Sequence, residues 1–382
     1  MRLISIGFLL VLIAFTFVKC QLELATSCDP EACRLPECRC SSTNIPGGLA
    51  ARDTPQFVVV SFDDGINVLN IEEYRATIYN RRNKLNNCPA GVTFFINHEY
   101  TDYSLVNELY NQGFEIALHS ITHRTDQAYW REASYEDLMK EFNDQKTQIA
   151  HFANIPIDRI YGIRSPFLQM AGNATFQMLA QSNLRYDLSW PTIAHTNPGL
   201  WPYTLHYASI QDCIIPPCPT ASIPGPWVLP FITWTDLEGF PCNLVDTCIY
   251  SPTDEEGWFK FLLDNFERHY HNNRAPFILS MHASIFTVHI SMQRAFTRFL
   301  DTINNLNDVF MVNANEVIDW VQNPVPINEY AQQSCRSSPP AVCRASSCGP
   351  LRITDDHPME YYMRVCNRCP RHYPWLDNPL GD

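Results

Sequence analysis

Between about residues 57 and 321, short apolar runs of strand length alternate with longer amphipathic stretches. The runs at 57–62, 92–97, 114–118, 160–163, 277–281 and 309–312 predict strands. Residues 255–270, where Trp258, Phe261, Leu262 and Phe266 recur at helical spacing, predict a helix. Strands alternating with helices read as βα units, not as a sandwich of hairpins, so the fold class is α/β. Several runs end in a polar group: Asp63 and Asp64 after the first, His119 after the third, Arg164 after the fourth and His282 after the fifth. In an α/β barrel the C-terminal strand ends converge on one face, which would bring these groups together across more than 200 residues. Taken singly, each could simply be the polar end of a strand.

The pattern breaks at 186–250, a stretch with many prolines and with Cys213, Cys218, Cys242 and Cys248. It reads as loops stapled by disulfides. Trp190 and Trp201 within it are candidate platforms for sugar rings, and buried packing explains an indole there equally well.

The ends differ from the middle. Arg2, an apolar run at 3–18, Lys19 and Cys20 have the form of a secretory signal peptide at 1–20, and the run is short for a membrane span. The chain has 15 cysteines. Removal of the leader takes Cys20 away and leaves an even set, compatible with disulfides in an oxidising compartment. The expected organisation is a signal peptide at 1–20, a Cys-rich segment at 21–54, one catalytic barrel at 55–322 and a Cys-rich extension at 323–382 packed on it. The formal net charge is −13, and loss of Arg2 and Lys19 makes it more negative. Nucleic acid, which needs clustered Lys and Arg, is a poor partner. Asn173, followed by Ala174 and Thr175, is a candidate glycosylation site.

Two local motifs carry candidate chemistry. Ser61-Phe62-Asp63-Asp64-Gly65 ends an apolar strand in adjacent carboxylates, which point different ways, so that one can ligate a cation while the other acts as a base. His119-Ser120-Ile121-Thr122-His123 sets two imidazoles four residues apart, a spacing that shares one face if the segment turns helically. Two histidines and one carboxylate make a metal-ligand set with open positions. His269 and His271, at the end of the predicted helix, read as surface or capping residues.

With Arg164-Ser165-Pro166-Phe167 and Leu279-Ser280-Met281-His282, these motifs resemble, in order and approximate spacing, the polysaccharide deacetylases of carbohydrate esterase family 4. The stretches 197–203, 265–276, 317–324 and 368–379 and the cysteine-rich ends resemble the secreted insect chitin deacetylases, in the compact form without a separate chitin-binding domain. The resemblance implies a distorted (β/α) barrel with disulfide-rich extensions and loops. It implies a divalent metal, usually zinc, on Asp64, His119 and His123; Asp63 as general base; Arg164 orienting that base; His282 as general acid; and the Phe167 backbone N–H as oxyanion donor. Leu279 and Trp234 would line the pocket for the acetyl methyl group. The implied activity is hydrolysis of N-acetyl groups in chitin or chitooligosaccharides by a secreted monomer with no membrane anchor, in a gut-lining or other chitin-containing matrix that can hold other matrix proteins. Peptidoglycan or acetylated xylan as substrate fits the cysteine framework less well. One motif departs from the family: Ile232 and Thr233 precede Trp234 where many members carry a group that orients the acid histidine. Asp236 is the nearest carboxylate in sequence. That departure leaves a second reading, a chitin-binding matrix protein with little catalysis.

Overall fold

The computed structural model describes residues 22–382, so the proposed leader at 1–20, with Cys20, lies outside the described residues. Nine strands build one curled sheet. In chain order they are β1 (Gln56–Asp63), β2 (Thr93–Ile96), β3 (Glu115–Leu118), β4 (Gly162–Ile163), β5 (Tyr186–Asp187), β6 (Tyr203–Leu205), β7 (Ile223–Val228), β8 (Phe277–His282) and β9 (Val309–Met311). Across the sheet they run β8-β1-β2-β3-β4-β5-β7-β6, with only the β7/β6 pair antiparallel. β9 pairs with the first residues of β1, at Gln56–Val58, and β2 with the last, at Ser61–Asp63. Two strands thus share one side of β1, and the sheet stays open between β6 and β8. This is a distorted (β/α) barrel. The crowding is visible at Gly91, ahead of β2, where a Cβ would stand 2.1 Å from the Asn313 nitrogen, so any side chain would push the two backbones apart.

All six predicted runs are strands, and the helix Glu255–Tyr270 forms over the predicted residues. The stretch 186–250 is less loop-like than its composition suggests, because β5, β6 and β7 all come from it. β5 is two residues long, and β7 (IPGPWV) carries two prolines and a glycine, so neither leaves a readable apolar period.

Strand alternation divides the core into two layers. Val58, Val60 and Phe62 of β1, with Phe277, Leu279 and Met281 of β8, belong to the layer between sheet and helices; Phe277 packs on Phe266 and Phe299 there. Phe57, Val59 and Ile278 belong to the inner layer. Near the C-terminal strand ends the inner positions become polar: Ser61, Asp63 and Ser280 are buried on that face.

Seven disulfides use every cysteine of the described residues. Cys88, which belongs to none of the sequence clusters, pairs with Cys335 and ties the chain before β2 to the C-terminal extension. Met363, Val365 and Tyr373 of that extension are buried in the outer core layer, and Cys366 N–H donates to the Phe152 carbonyl at 2.7 Å. Among the described residues no helix is long and apolar enough to cross a membrane.

Candidate active site

The C-terminal ends of β1, β3, β4 and β8 bring the predicted groups together. β1 and β8 pair in parallel with Asp63 opposite His282, so the tip of each strand presents its polar residue at the same level. Asp63 is buried, and one of its oxygens accepts from Arg164 Nη1 at 2.5 Å. Arg164 is fully buried in turn. Its Nη2 donates to Ser61 Oγ and Ser280 Oγ at 3.1 Å each, its Nε to the Leu188 carbonyl at 3.1 Å, and its guanidinium lies 4.1 Å over the Phe95 ring. Burial alone would raise the pKa of Asp63; the charge of Arg164 first, with that of His282, overcomes this and holds it below the usual carboxylate range. An ionised carboxylate facing the site is what a base requires.

Asp64, His119 and His123 converge, each offering one ligand atom within 4.8 Å of the others. His119 Nδ1 lies 2.7 Å from the Arg164 carbonyl, a contact that places the proton on Nδ1 and leaves Nε2 free to ligate. Burial pulls the His119 pKa down to about 4, against the charge of Asp63, which keeps the ring neutral as a ligand must be. His123 Nε2 stands 3.4 Å from Asp64 Oδ1, about the separation of two donors that share an ion at about 2.0–2.2 Å each in tetrahedral geometry. That Asp64 oxygen is buried and has no hydrogen-bond partner among the described residues. An orphaned acceptor beside two imidazoles is costly without a cation, so the donor set fits a divalent metal.

The segment 119–123 is not helical. It is a loop with Ser120 (φ 76°) and His123 (φ 43°) in the left-handed region, as is Asp64 (φ 78°). Glu141, which sequence reasoning missed, shapes it. The buried Glu141 carboxylate accepts from the N–H of Ile121 and Thr122, from Thr122 Oγ1 at 2.6 Å and from Tyr129 Oη at 2.9 Å. It sits in a π-helical turn, Met139–Asn143, a distortion often found beside functional sites. Strained backbone over-determined by such contacts is a mark of a functional centre.

His282 Nε2 is 3.8 Å from Asp64 Oδ2, while its Nδ1 is 2.6 Å from a carboxylate oxygen. The carboxylate belongs to Asp246, not to Asp236. Asp236 is used inside its own turn, where it accepts from the N–H of Glu238, Phe240 and Tyr250. Asp246 reaches His282 because the Cys242–Cys248 bond folds the loop back, and Asp246 also accepts from the His282 N–H at 3.2 Å. Burial pulls the His282 pKa down, but the hydrogen bond and charge of Asp246, with the charges of Asp63 and Asp64, outweigh it and hold the imidazole up to about 9. Phe167 has φ 58°; its side chain is half exposed, with its ring stacked toward that of His123. Asp187, a second missed carboxylate, accepts from Ser189 Oγ at 2.6 Å, and that Oγ takes the Ser165 N–H at 2.7 Å, so the turn that carries Phe167 is braced from below.

The four residues expected to contact substrate are all buried. Leu279 is buried in the outer core layer because the period of two that points Ser280 and His282 inward turns Leu279 toward the helices. Trp234 is buried, stacked on Phe277, with its indole N–H on the Ile278 carbonyl. Trp190 and Trp201 are buried as well, their N–H groups donating to the carbonyls of Asp212 and Asn273. All four pack in the core layers. His269 is also core, buried against the Ala275 carbonyl where the chain folds back over the helix end, and burial lowers its pKa to about 3. Asn173 starts the helix Asn173–Gln181 and accepts from the N–H of Thr220 and Ala221; a glycan on its nitrogen would meet Thr220 Oγ1 at 3.3 Å.

Fold and site together define a hydrolase whose donor set suits a metal at the mouth of a distorted barrel. The family model described as polysaccharide deacetylase matches residues 50–186. The chain is 65% identical over 363 residues to chitin deacetylase 8 of Bombyx mori, covering 94% of this chain and 95% of that protein. It is 36% identical to chitin deacetylase 1 of the same species, covering 94% and 69%. Among solved structures, the family 4 carbohydrate esterase from Streptomyces lividans is a distant likeness, with a TM-score of 0.33 at 13% identity over 67% of this chain and 91% of that one. The chain belongs to the chitin deacetylases of the polysaccharide deacetylase family.

Proposed function

We propose that the protein is a secreted, metal-dependent chitin deacetylase that hydrolyses the N-acetyl groups of N-acetylglucosamine units to glucosamine units and acetate. Asp64, His119 and His123 hold the metal, for which zinc suits a set of two imidazoles and a carboxylate. When bound, the metal supplies Lewis-acid polarisation and makes water acidic enough to attack near neutral pH. Asp63 takes the proton of the attacking water as it adds to the acetyl carbon, and Arg164 fixes the angle and charge of that carboxylate. The Phe167 N–H donates to the oxygen that becomes anionic in the tetrahedral state. His282, protonated and turned by Asp246 so that Nε2–H faces the centre, gives its proton to the departing amine.

The observation that carries this reading is the orphaned Asp64 oxygen set between the Asp63–Arg164 pair and the His282–Asp246 pair. The alternative, a chitin-binding matrix protein without turnover, drew on the missing carboxylate near Trp234, and Asp246 weakens that ground. Acetate release from N-acetylglucosamine oligomers, with and without chelator, tests the proposal. Release that stops with chelator and returns with stoichiometric zinc is expected; no release from any oligomer by the zinc-loaded protein would leave the matrix reading.

A further inference from the structure

Many of the large apolar side chains that stand exposed among the described residues lie on the loops and short helices that follow the C-terminal ends of the parallel strands. The densest group is on the loop that carries Asp246. Leu237, Phe240, Ile249 and Tyr250 are exposed there, with the Phe240 and Tyr250 rings 5.6 Å apart at 30°. The loop is built to hold them still. Asp236 gathers three backbone N–H groups, Leu237 N–H donates to the Tyr250 carbonyl, and the Cys242–Cys248 bond closes the rest. Rings kept in the open on a braced loop lose little freedom when something covers them.

The patch extends along the rim. Ser291 Oγ donates to the Thr253 carbonyl, which places exposed Val288 and Ile290 beside the Tyr250 end. Gln293 bonds Glu73, which brings the helix after Ile290 to the helix after exposed Val68 and Leu69. Asn67 donates to the Tyr100 carbonyl at 3.4 Å, and the Tyr100 ring is exposed in its turn. The arc therefore skirts both His282 and Asp64. A run of exposed apolar side chains bordering a catalytic centre marks a binding face.

We infer that this arc, centred on Phe240 and Tyr250, is the seat of the units that flank the reacting sugar, and that through it the barrel itself adsorbs to insoluble polysaccharide. The inference rests on the reading that an N-acetylglucosamine polymer is the substrate. A protein seated on the arc would cover the catalytic centre, whereas a polymer whose acetyl group enters that centre must lie across its border. The axial C–H faces of β-linked pyranose rings are flat and apolar, a match for ring side chains that have one polar edge in water.

The test uses Phe240→Ser/Tyr250→Ser in the full-length, zinc-loaded protein, with Ile157→Ser, an exposed apolar residue remote from the site, as control. Three quantities are read: co-sedimentation with insoluble chitin, kcat/KM on the N-acetylglucosamine dimer, and kcat/KM on the hexamer. The double variant is expected to lose adsorption, and its fall on the hexamer is expected to exceed that on the dimer at least tenfold, while the control matches wild type. Equal falls on dimer and hexamer, or undiminished adsorption, would overturn the inference. A wild-type protein that adsorbs through these two residues but releases no acetate would support the inference and refute the activity. A wild-type dimer that the double variant splits would assign the arc to a second copy and overturn it.

Discussion

Asp246→Asn removes the charge from the partner of His282 while keeping its shape. The contact is 2.6 Å, and both side chains are shielded from solvent over most of their surface. A hydrogen bond to a charged group in such a setting is worth about 1.5–3 kcal/mol. At about 1.4 kcal/mol per tenfold change in proton affinity, its loss lowers the pKa of His282 by roughly 1–2. The sign follows from the causes already present. Burial pulls the imidazole down and Asp246 is the first of the groups holding it up to about 9, so the neutralised variant falls back toward the ordinary value. A general acid must be protonated in the free enzyme, so its pKa sets the alkaline limb of kcat/KM. The limb should move down by roughly 1–2 pH units, with a loss of about 5- to 50-fold at the pH of the wild-type midpoint and a much smaller loss on the acid side. The assay is acetate release from an N-acetylglucosamine tetramer across pH 5–10. Asp236→Asn serves as comparison and should leave the limb in place. A profile for Asp246→Asn that drops uniformly without moving, or does not drop, would refute the assignment of Asp246 to the acid.

Other substitutions separate packing from chemistry. Arg164→Ala strands a buried carboxylate and should cost about 3–5 kcal/mol in urea unfolding; a loss below about 1 kcal/mol would mean Asp63 finds another partner. Glu141→Ala leaves the N–H and hydroxyl of Thr122 without their acceptor, while the Ile121 N–H keeps the backbone carbonyl of residue 141, and should weaken zinc binding by about 10- to 100-fold in a chelator competition, with the far-ultraviolet spectrum retained; unchanged affinity would show that the histidine loop holds itself. Leu279→Ala should act as a core truncation, destabilising by about 2–5 kcal/mol with KM preserved in the folded fraction, and a change in KM without loss of stability would restore it to the acetyl pocket.

The apolar periodicity announces β1, β8 and the helix Glu255–Tyr270 because those elements are long and one or both faces are buried. The same periodicity fails at β5 and β7, where strands of two residues or strands with two prolines are held by their neighbours in the sheet. The proposed metal ligands and base, and the arginine beside them, are legible because they sit at strand ends or in a tight motif. Asp246 and Glu141 are not, because each works from another element, 36 residues from His282 in one case and 19 from Thr122 in the other. A disulfide-closed turn delivers Asp246, and although the cysteines announce a stapled loop, their sequence does not say which pair closes or what the turn then faces. The indoles show what residue type leaves open. Trp190, Trp201 and Trp234 have residue types suited to sugars, yet their N–H groups find backbone carbonyls indoors, and the exposed rings that border the centre are Phe240 and Tyr250.

The central claim is that two adjacent aspartates divide the work, Asp64 holding metal and Asp63 moving a proton. Acetate release by Asp63→Asn, loaded with one equivalent of zinc, tests it most directly. Loss of a general base costs about 10²–10⁴ in rate, and release lower by that factor with zinc still bound is the expected result. Release near the wild-type rate by the zinc-loaded variant would contradict it.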